Sequence, residues 1–436
     1  MKQGNTLKSR LSSMLFWSIV SAAFIGPGTV TTASNAGASY GYSLLWALIF
    51  SIVACTILQE AAARVTLISG LSLGEAIAER YHQRKSLLIR LFIFLSILIG
   101  GIAYQAGNIL GAIAGLQLLF DFNVEVVTAL ISLLGGILLW FGNYRIISNI
   151  LGVVVAVMGF AFIYIALKAN LDWSAIFKSS FLPAIPTGSE WIIIGLIGTT
   201  IVPYNLFLAS GISKGQEVKT MRFGIIAAII LGGLISVAIL LAGTIINGAF
   251  SFESLKTMME NKSGALGGYL LAIGLFSAGF TSSVTAPLAA AITARSLFHK
   301  NDSRWQENRK FYNSVWLIVI LAGFLFGISG VRPIPAIILA QAINGLLLPV
   351  ASVFLVIIVN DAKIIPHRYL NPPASNYLLL GVVMVTTFLG LVNISRALAT
   401  LFNKQATALP VSVLLLIPVV IAVLIYFLIK RIRAGK

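Results

Sequence analysis

Long apolar runs constrain this chain more than any other feature of its sequence. A helix needs roughly 20 apolar residues to cross a bilayer, and about twelve runs reach that length. The runs cover approximately 13–36, 42–68, 88–118, 125–142, 147–168, 189–212, 222–249, 264–297, 311–328, 333–359, 376–395 and 409–430. We therefore predict an all-α membrane protein with about twelve transmembrane helices.

Composition supports one membrane domain over residues 1–436. Hydrophobic residues make up 58% of the chain and charged residues only 10%, whereas a soluble domain carries about 25% charged residues. The first run passes into Pro27 without a small-residue cleavage site, so it is interpreted as a span and not as a signal peptide. Between spans, the longest segment, about 169–188, is too short to form a soluble core.

The net charge of +17 has a membrane explanation. Lys and Arg concentrate at both chain ends and in alternate loops, which is the pattern of cytoplasmic loops in membrane proteins. We predict a multi-pass inner-membrane protein with both termini in the cytoplasm, with the lipid bilayer as its partner and no nucleic acid. Cys55 is the only cysteine, so no intrachain disulfide or redox centre is expected.

Two spans are interrupted by proline among polar and small residues. The segments are Gly26-Pro27-Gly28-Thr29 in the first span and Thr199-Thr200-Ile201-Val202-Pro203-Tyr204-Asn205 in the sixth. Proline removes a backbone donor and glycine lets the chain unwind. A single proline in a span usually only kinks it, but paired breaks in corresponding places indicate an inverted-repeat transporter with its site near the midplane.

Several motifs along the chain resemble those of the NRAMP family of divalent-metal transporters. They are Tyr40-Gly41-Tyr42-Ser43-Leu44-Leu45-Trp46, Leu58-Gln59, Ala63-Arg64, Pro203-Tyr204-Asn205-Leu206-Phe207-Leu208 with Ser210, Ala278-Gly279, Ser282-Ser283-Val284-Thr285, Leu339-Ala340-Gln341 and Leu348-Pro349. The resemblance implies a LeuT-like fold of five plus five spans. It places inverted repeats at about 13–168 and 189–359, followed by two extra helices at about 376–430.

The chain departs from the family pattern at the residues that hold the metal. The family's first break is Asp-Pro-Gly-Asn, and its Asp and Asn align here with Gly26 and Thr29. In the sixth span, the family's Met and His align with Val202 and Tyr204. Gln341 matches a family glutamine that is also implicated at the site.

These replacements predict an altered substrate. A desolvated divalent ion needs anionic oxygens or soft donors in place of its water, and an unpaired buried charge is strongly unfavourable. We expect Mn²⁺ and Fe²⁺ transport to be lost or weak. We expect no cofactor and assign no residue as a metal ligand. The candidate residues for binding a small solute or ion are Gly26, Pro27, Gly28, Thr29, Thr199, Val202, Tyr204, Asn205 and Gln341.

The resemblance also implies that the chain lacks the titratable side chains that the family uses for proton coupling. The family's third-span Asp and Glu, implicated in proton movement, align with Gln105 and Asn108, which do not titrate near neutral pH. Glu60 is the remaining carboxylate well inside a predicted span. Glu60 and Arg64 are four residues apart, the favourable order for an ion pair on one helix. A structural pair is therefore the favoured interpretation, with proton coupling as the alternative.

Three other functions compete with a transporter of altered substrate choice. One is divalent-metal transport (Mn²⁺, Fe²⁺ or Mg²⁺) through backbone carbonyls and neutral side chains. Another is a receptor or structural protein that no longer transports, although such a bundle does not need two breaks. A membrane enzyme is not expected, because no predicted span contains a His/Asp/Glu or Ser/His cluster able to perform acid–base or nucleophilic chemistry.

Overall fold

The computed structural model describes residues 25–81, 86–142, 145–299, 303–306, 309–401 and 411–433. Sixteen α-helices occur in these ranges. They are α1 Pro27–Tyr40, α2 Leu45–Ser69, α3 Leu73–Arg80, α4 Leu87–Gln117, α5 Val124–Phe141, α6 Arg145–Lys168, α7 Trp173–Phe181, α8 Glu190–Thr200, α9 Pro203–Ile212, α10 Val218–Gly243, α11 Phe252–Ser263, α12 Ala265–Phe298, α13 Lys310–Ile328, α14 Pro333–Ile358, α15 Pro373–Leu401 and α16 Val411–Arg433.

The helices lie where the apolar runs predict spans. Ten helical segments of the described chain are long and apolar enough to cross a membrane, with α8 and α9 counted together as one interrupted span over Glu190–Ile212. Helix α1 is the described part of the first predicted span, whose beginning lies outside the described residues. The apolar part of α16, Leu416–Lys430, is shorter than the other spans.

The end of the seventh span differs from the limit predicted by the apolar run. The seventh span was expected over 222–249, but α10 ends at Gly243 and is followed by a turn. Next comes α11, which begins with a capping box in which Ser251 and Ser254 exchange side-chain and backbone hydrogen bonds. Such a box satisfies backbone donors at a helix start. The predicted end of this span lies too far along the chain because the apolar run continues through the turn.

The centre of the bundle is formed by α4, α12 and α14. Helix α4 packs along α12, and α14 packs against both α4 and α8. On the other side, α10 packs against α1 and α2, and α12 packs against α6. The α4–α14 and α12–α6 contacts become equivalent if residues 13–168 and 189–359 are taken as two inverted repeats. The two interrupted spans are thereby enclosed by long continuous helices.

Small residues allow the helix backbones to approach closely in the bundle. A Cβ added at Gly198 of α8 would lie 2.0 Å from the Gln341 carbonyl oxygen and 2.4 Å from the Gly345 nitrogen of α14. Similarly, a Cβ at Gly37 of α1 would lie 2.0 Å from the Leu240 carbonyl of α10. Small residues at such crossings are typical of membrane helix packing. These contacts fix the position of each interrupted span against a continuous one.

Substituting Gly198→Ala should therefore destabilise the fold. The methyl group would meet backbone atoms, which cannot move aside as a side chain does, and overpacking of this kind costs about 1–3 kcal/mol. Thermal unfolding of the purified protein in detergent measures the effect. The matched control is Gly152→Ala in α6, where an added Cβ meets nothing within 4 Å; equal melting temperatures for the two variants would contradict the close approach.

Candidate functional site

The two breaks share one local architecture. Gly26 is the N-cap of α1 with extended backbone (φ −102°, ψ −178°), and Pro27 is the first helical residue. Val202 is the N-cap of α9, also extended (φ −80°, ψ 122°), and Pro203 is again the first helical residue. Proline favours this first position because the missing N–H would have no helical acceptor there, and it biases the preceding residue towards extended backbone. The sequence thus restarts a helix at the same kind of junction in both spans.

A hydrogen bond between hydroxyl groups joins the two interrupted spans. Thr29 Oγ1 lies 2.8 Å from Thr199 Oγ1, and both side chains are fully buried. Thr29 is in the first turn of α1 and Thr199 is in the last turn of α8. Residues 170 positions apart in the chain therefore meet at the place where the sequence predicts the site.

Gly26 faces two further helices that carry hydroxyl groups. A Cβ at Gly26 would lie 3.4 Å from Tyr104 Oη of α4 and 3.6 Å from Ser282 Oγ of α12. The Tyr104 ring packs edge-on against the Tyr204 ring, with centroids 5.6 Å apart. Both tyrosines are buried. The surroundings of Gly26 thus include an aromatic ring and two neutral hydroxyl oxygens.

Gln341 closes another side of the first break. A Cβ at Gly28 would lie 2.2 Å from Gln341 Nε2, so the amide lies directly on this glycine. A Cβ at Gly111 of α4 would lie 2.1 Å from Cβ of Pro27. The glycines at these two positions leave room for Gln341 and Pro27, and the first break is packed between α4 and α14.

The carbonyl group of Thr200, next to the second break, accepts a hydrogen bond from a thiol. Cys55 Sγ donates to the Thr200 carbonyl oxygen over 3.5 Å, and Gln59 Nε2 donates to Cys55 Sγ over 3.4 Å. Both side chains are buried in α2. Buried carbonyls near a helix break need a partner from outside the helix, and Cys55 provides it here.

The residues around the breaks carry no formal charge. Among the described residues, no three His, Cys, Asp or Glu side chains cluster in a way that could hold a metal ion. Val202, Tyr204, Asn205 and Gln341 are all buried. Neither amide atom of Asn205 has a hydrogen-bond partner among the described residues, and the same holds for Gln341 Oε1. The site therefore offers neutral hydrogen-bonding groups.

Gln105, a third-span candidate for proton coupling, contacts other residues than its neighbour Tyr104 does. Gln105 Nε2 donates to the Ser283 carbonyl over 3.1 Å, and its side chain packs where a Cβ at Gly323 would lie. Asn108 is buried on the next turn of α4, and its Nδ2 has no hydrogen-bond partner in the part of the chain that the structure describes.

Glu60 is part of an ion-paired network away from the breaks. The ion pair with Arg64 expected from the sequence is present at 3.1 Å, and Arg222 of α10 also binds the carboxylate at 2.7 Å. Arg64 donates in addition to the Asn371 side chain. With two cationic partners, the Glu60 carboxylate holds α2 against α10, which supports a structural role.

Thr29, Thr199 and Gln341 lie beside the breaks, and the sequence analysis did not single out three further residues nearby. Tyr104, Ser282 and Cys55 come from continuous helices, where apolar or small neighbours give no signal of a site. Ser282 is part of a quoted motif, yet the sequence alone does not distinguish it from Ser283. Only helix packing shows that the Ser282 hydroxyl lies near Gly26.

Comparison with known families identifies the chain's relatives. A family model described as natural resistance-associated macrophage protein-like (Nramp) matches residues 18–396. The divalent metal cation transporter MntH of Verminephrobacter eiseniae is 26% identical over 356 residues, covering 76% of this chain and 77% of the relative. MntH of Bacillus subtilis is 26% identical over 370 residues, covering 79% and 83%.

Solved structures share the fold at lower identity. A mutant of the manganese transporter of Eremococcus coleocola aligns with a TM-score of 0.74 and 20% identity, covering 100% of this chain and 96% of that one. Mhp1, a nucleobase-cation-symport-1 family transporter in a closed conformation, aligns with a TM-score of 0.56 and 14% identity, covering 96% and 92%. The helical arrangement is thus that of LeuT-like membrane transporters.

The Thr29–Thr199 hydrogen bond predicts coupling between the two side chains. Thr29→Val and Thr199→Val should each reduce stability by about 1 kcal/mol, because each leaves the other hydroxyl buried without this partner. The double variant should lose less than the sum of the two single losses. A double-mutant cycle measured by thermal unfolding tests this; strictly additive losses would show that the hydroxyls do not interact.

Glu60→Gln should weaken the contact between α2 and α10. The expected loss is about 0.5–1 kcal/mol, since Arg222 is 52% exposed at its side chain and exposed pairs contribute little. In the Glu60→Gln background, Arg222→Gln should add almost nothing. Thermal unfolding of the single and double variants measures the effect. The control is Glu260→Gln, which removes the i,i+4 pair with Lys256. A large further loss of stability in the double variant would refute the pairing of Glu60 with Arg222.

Proposed function

Since the chain belongs to the Nramp family, we propose that it is a secondary transporter that works by alternating access with an altered substrate choice. It is a multi-pass membrane protein of the Nramp fold. In this proposal residues 13–168 and 189–359 are the two inverted repeats, and both termini lie in the cytoplasm. The substrate is a small solute or ion that binds between the breaks.

One observation carries the proposal. Gly26 and Thr29, at the two positions that the family pattern gives to Asp and Asn, both lie at the buried centre of the molecule, and neither supplies an anionic oxygen or a carboxamide. Thr29 instead binds Thr199 through its hydroxyl group at 2.8 Å. Gly26 contributes no side chain, and its neighbours are the hydroxyl groups of Tyr104 and Ser282.

The sixth span lacks the soft donor as well. Val202 is 1% exposed and lies at the extended residue of the break, where the family pattern has Met. An aliphatic side chain cannot coordinate a transition metal, whereas sulfur donors favour these ions. Tyr204 is turned towards Tyr104 and packs as an aromatic ring. Mn²⁺ and Fe²⁺ would therefore lose charge compensation and the preferred donor at once.

A divalent-metal cargo remains the alternative because curated relatives are named divalent metal cation transporters. Freed backbone carbonyls, Asn205 and Gln341 would then replace the missing ligands, or the ion would keep part of its water shell as Mg²⁺ often does. The second alternative is a receptor or structural protein. The matched proline junctions and the buried unsatisfied amide of Asn205 favour transport, since a purely structural bundle has no use for either.

Restoring the family donors tests the assignment of the site. The variant Gly26→Asp/Thr29→Asn/Val202→Met should bind Mn²⁺ in titration calorimetry, whereas the unaltered protein should give no saturable heat. The backbone at position 26 accepts a Cβ, which would make only ordinary contacts with Tyr104 and Ser282. The matched control carries Gly26→Asn in place of Gly26→Asp, which keeps the size of the side chain and removes its charge.

Two results would count against the proposal. Saturable Mn²⁺ binding by the unaltered protein would show that neutral groups suffice. A folded triple variant without Mn²⁺ binding would show that these three positions do not form one site.

A further inference from the structure

A groove that faces the bilayer runs between α5 and α13. Its volume of about 460 Å³ lies in the range of pockets that hold small ligands. Hydrocarbon side chains and aromatic rings form nearly all of its lining. Those exposed on the outer surface of the bundle include Leu133, Ile137, Trp140, Leu317 and Leu321. The groove shares no lining residue with the two breaks, so the proposed substrate does not account for it.

A pair of tryptophans closes one end of this groove. Trp140, near the end of α5, packs edge-on against Trp316, near the start of α13, with ring centroids 6.5 Å apart. One turn further in, a Cβ at Gly136 would lie 3.9 Å from Cδ1 of Ile320. The two helices therefore run in opposite directions, and the missing side chain at Gly136 deepens the space between them. From Trp140 to Ala129 the groove extends about 17 Å along α5.

Basic side chains stand beyond the tryptophan end. Arg309 and Lys310 precede the lining residues Trp316 and Leu317 by seven residues, which is two turns. They therefore lie on the face of α13 that lines the groove. Both are exposed, and neither forms an ion pair with a described residue. Their charges are thus available to an anion at this end.

The opposite end of the groove face carries an acidic residue. Glu125, in the first turn of α5, precedes the lining residue Ala129 by four residues. It consequently lies one turn beyond Ala129 on the same face, and it is exposed. A negatively charged headgroup is attracted to the tryptophan end and disfavoured at the other. The charges give an occupant of the groove one orientation.

The tryptophan pair also fixes the depth of this end in the bilayer. Tryptophan is enriched where the hydrocarbon core meets the headgroups, and the headgroup layer is about 5–7 Å thick on each side. Lys310 begins α13 about 9 Å beyond Trp316, so its ammonium group reaches the lipid phosphates. Basic residues directly beside a span recognise anionic lipids.

We propose that the groove between α5 and α13 binds one acyl chain of an anionic phospholipid, whose phosphate is held by Arg309 and Lys310. The chain fills the space that Gly136 leaves and joins the two helices. Helix α13 also packs against α4, which carries Tyr104 beside the first break, so the lipid supports the wall of the central bundle. This lipid site is separate from the substrate site and does not depend on which substrate is carried.

Lipid-dependent stability tests the site. Delipidated full-length protein in a non-ionic detergent is titrated with phosphatidylglycerol or with phosphatidylcholine of the same acyl chains. Phosphatidylglycerol should raise the melting temperature saturably and at a lower half-saturating concentration than phosphatidylcholine. Native mass spectrometry of the same samples should show one retained phosphatidylglycerol on each chain.

Variants of the basic end test recognition of the headgroup. Arg309→Gln should raise the half-saturating phosphatidylglycerol concentration about fivefold, and Arg309→Gln/Lys310→Gln should raise it at least about tenfold. Arg332→Gln is the matched control, because Arg332 is likewise an exposed N-cap with extended backbone but follows the far end of α13. It should leave that concentration unchanged.

A variant that fills the groove tests the acyl-chain part of the site. Gly136→Leu should abolish the preference for phosphatidylglycerol and remove the retained lipid from the mass spectrum. Gly152→Leu in α6, where an added Cβ meets nothing within 4 Å, is the control and should keep both. If Gly136→Leu does not fold, the two arginine variants decide the test.

Four results would overturn the proposal. They are equal half-saturating concentrations for the two lipids, equal ones for Arg309→Gln and Arg332→Gln, unchanged lipid retention in Gly136→Leu, and stabilisation by inorganic phosphate equal to that by phosphatidylglycerol. The last would assign the basic residues to a soluble anion. A lipid-free dimer that Gly136→Leu dissociates would assign the groove to a second copy of the chain, and would likewise overturn the proposal.

Discussion

The structure depends on how two broken helices satisfy their backbone hydrogen bonds in the buried centre of the bundle. Pro27 and Pro203 each restart a helix after an extended residue, and both lie fully inside the bundle. Exposed carbonyl groups would be costly there. The thiol of Cys55 donates to the Thr200 carbonyl, and the packing of Gly111 and Gly198 brings α4 and α14 against the breaks. The breaks are thus a supported feature of the fold, around which the long helices are arranged.

The same centre is the substrate site in our proposal. Its hydroxyl pair, two packed tyrosines and two carboxamides are all uncharged. The Nramp fold is kept, and in our proposal Gly26, Thr29 and Val202 stand where a metal-transporting relative has the donors for a desolvated transition metal. Fold and family therefore indicate transport, and the chemistry of the individual residues decides the cargo. This division underlies our proposal that a protein with MntH relatives differs from them in substrate.

Hydropathy predicts the fold well because bilayer thickness imposes one length on every span. Helix α4 begins and ends within a residue of the predicted limits 88–118. The predicted end of the seventh span was wrong because apolar residues continue into a turn after Gly243. At the site, the proline junctions were visible in the sequence. Tyr104 and Ser282 were not, because their role comes from helix packing across long sequence separations, which leaves no local pattern.

The central claim is that this site does not handle Mn²⁺, and uptake into proteoliposomes tests it most directly. Folded protein is reconstituted with a metal-sensitive dye and a pH dye inside, and empty liposomes serve as the control. The account predicts Mn²⁺ entry no faster than into empty liposomes and no accompanying acidification. Saturable Mn²⁺ uptake would contradict it, because neutral oxygens and carbonyls would then be sufficient to replace the missing Asp, Asn and Met.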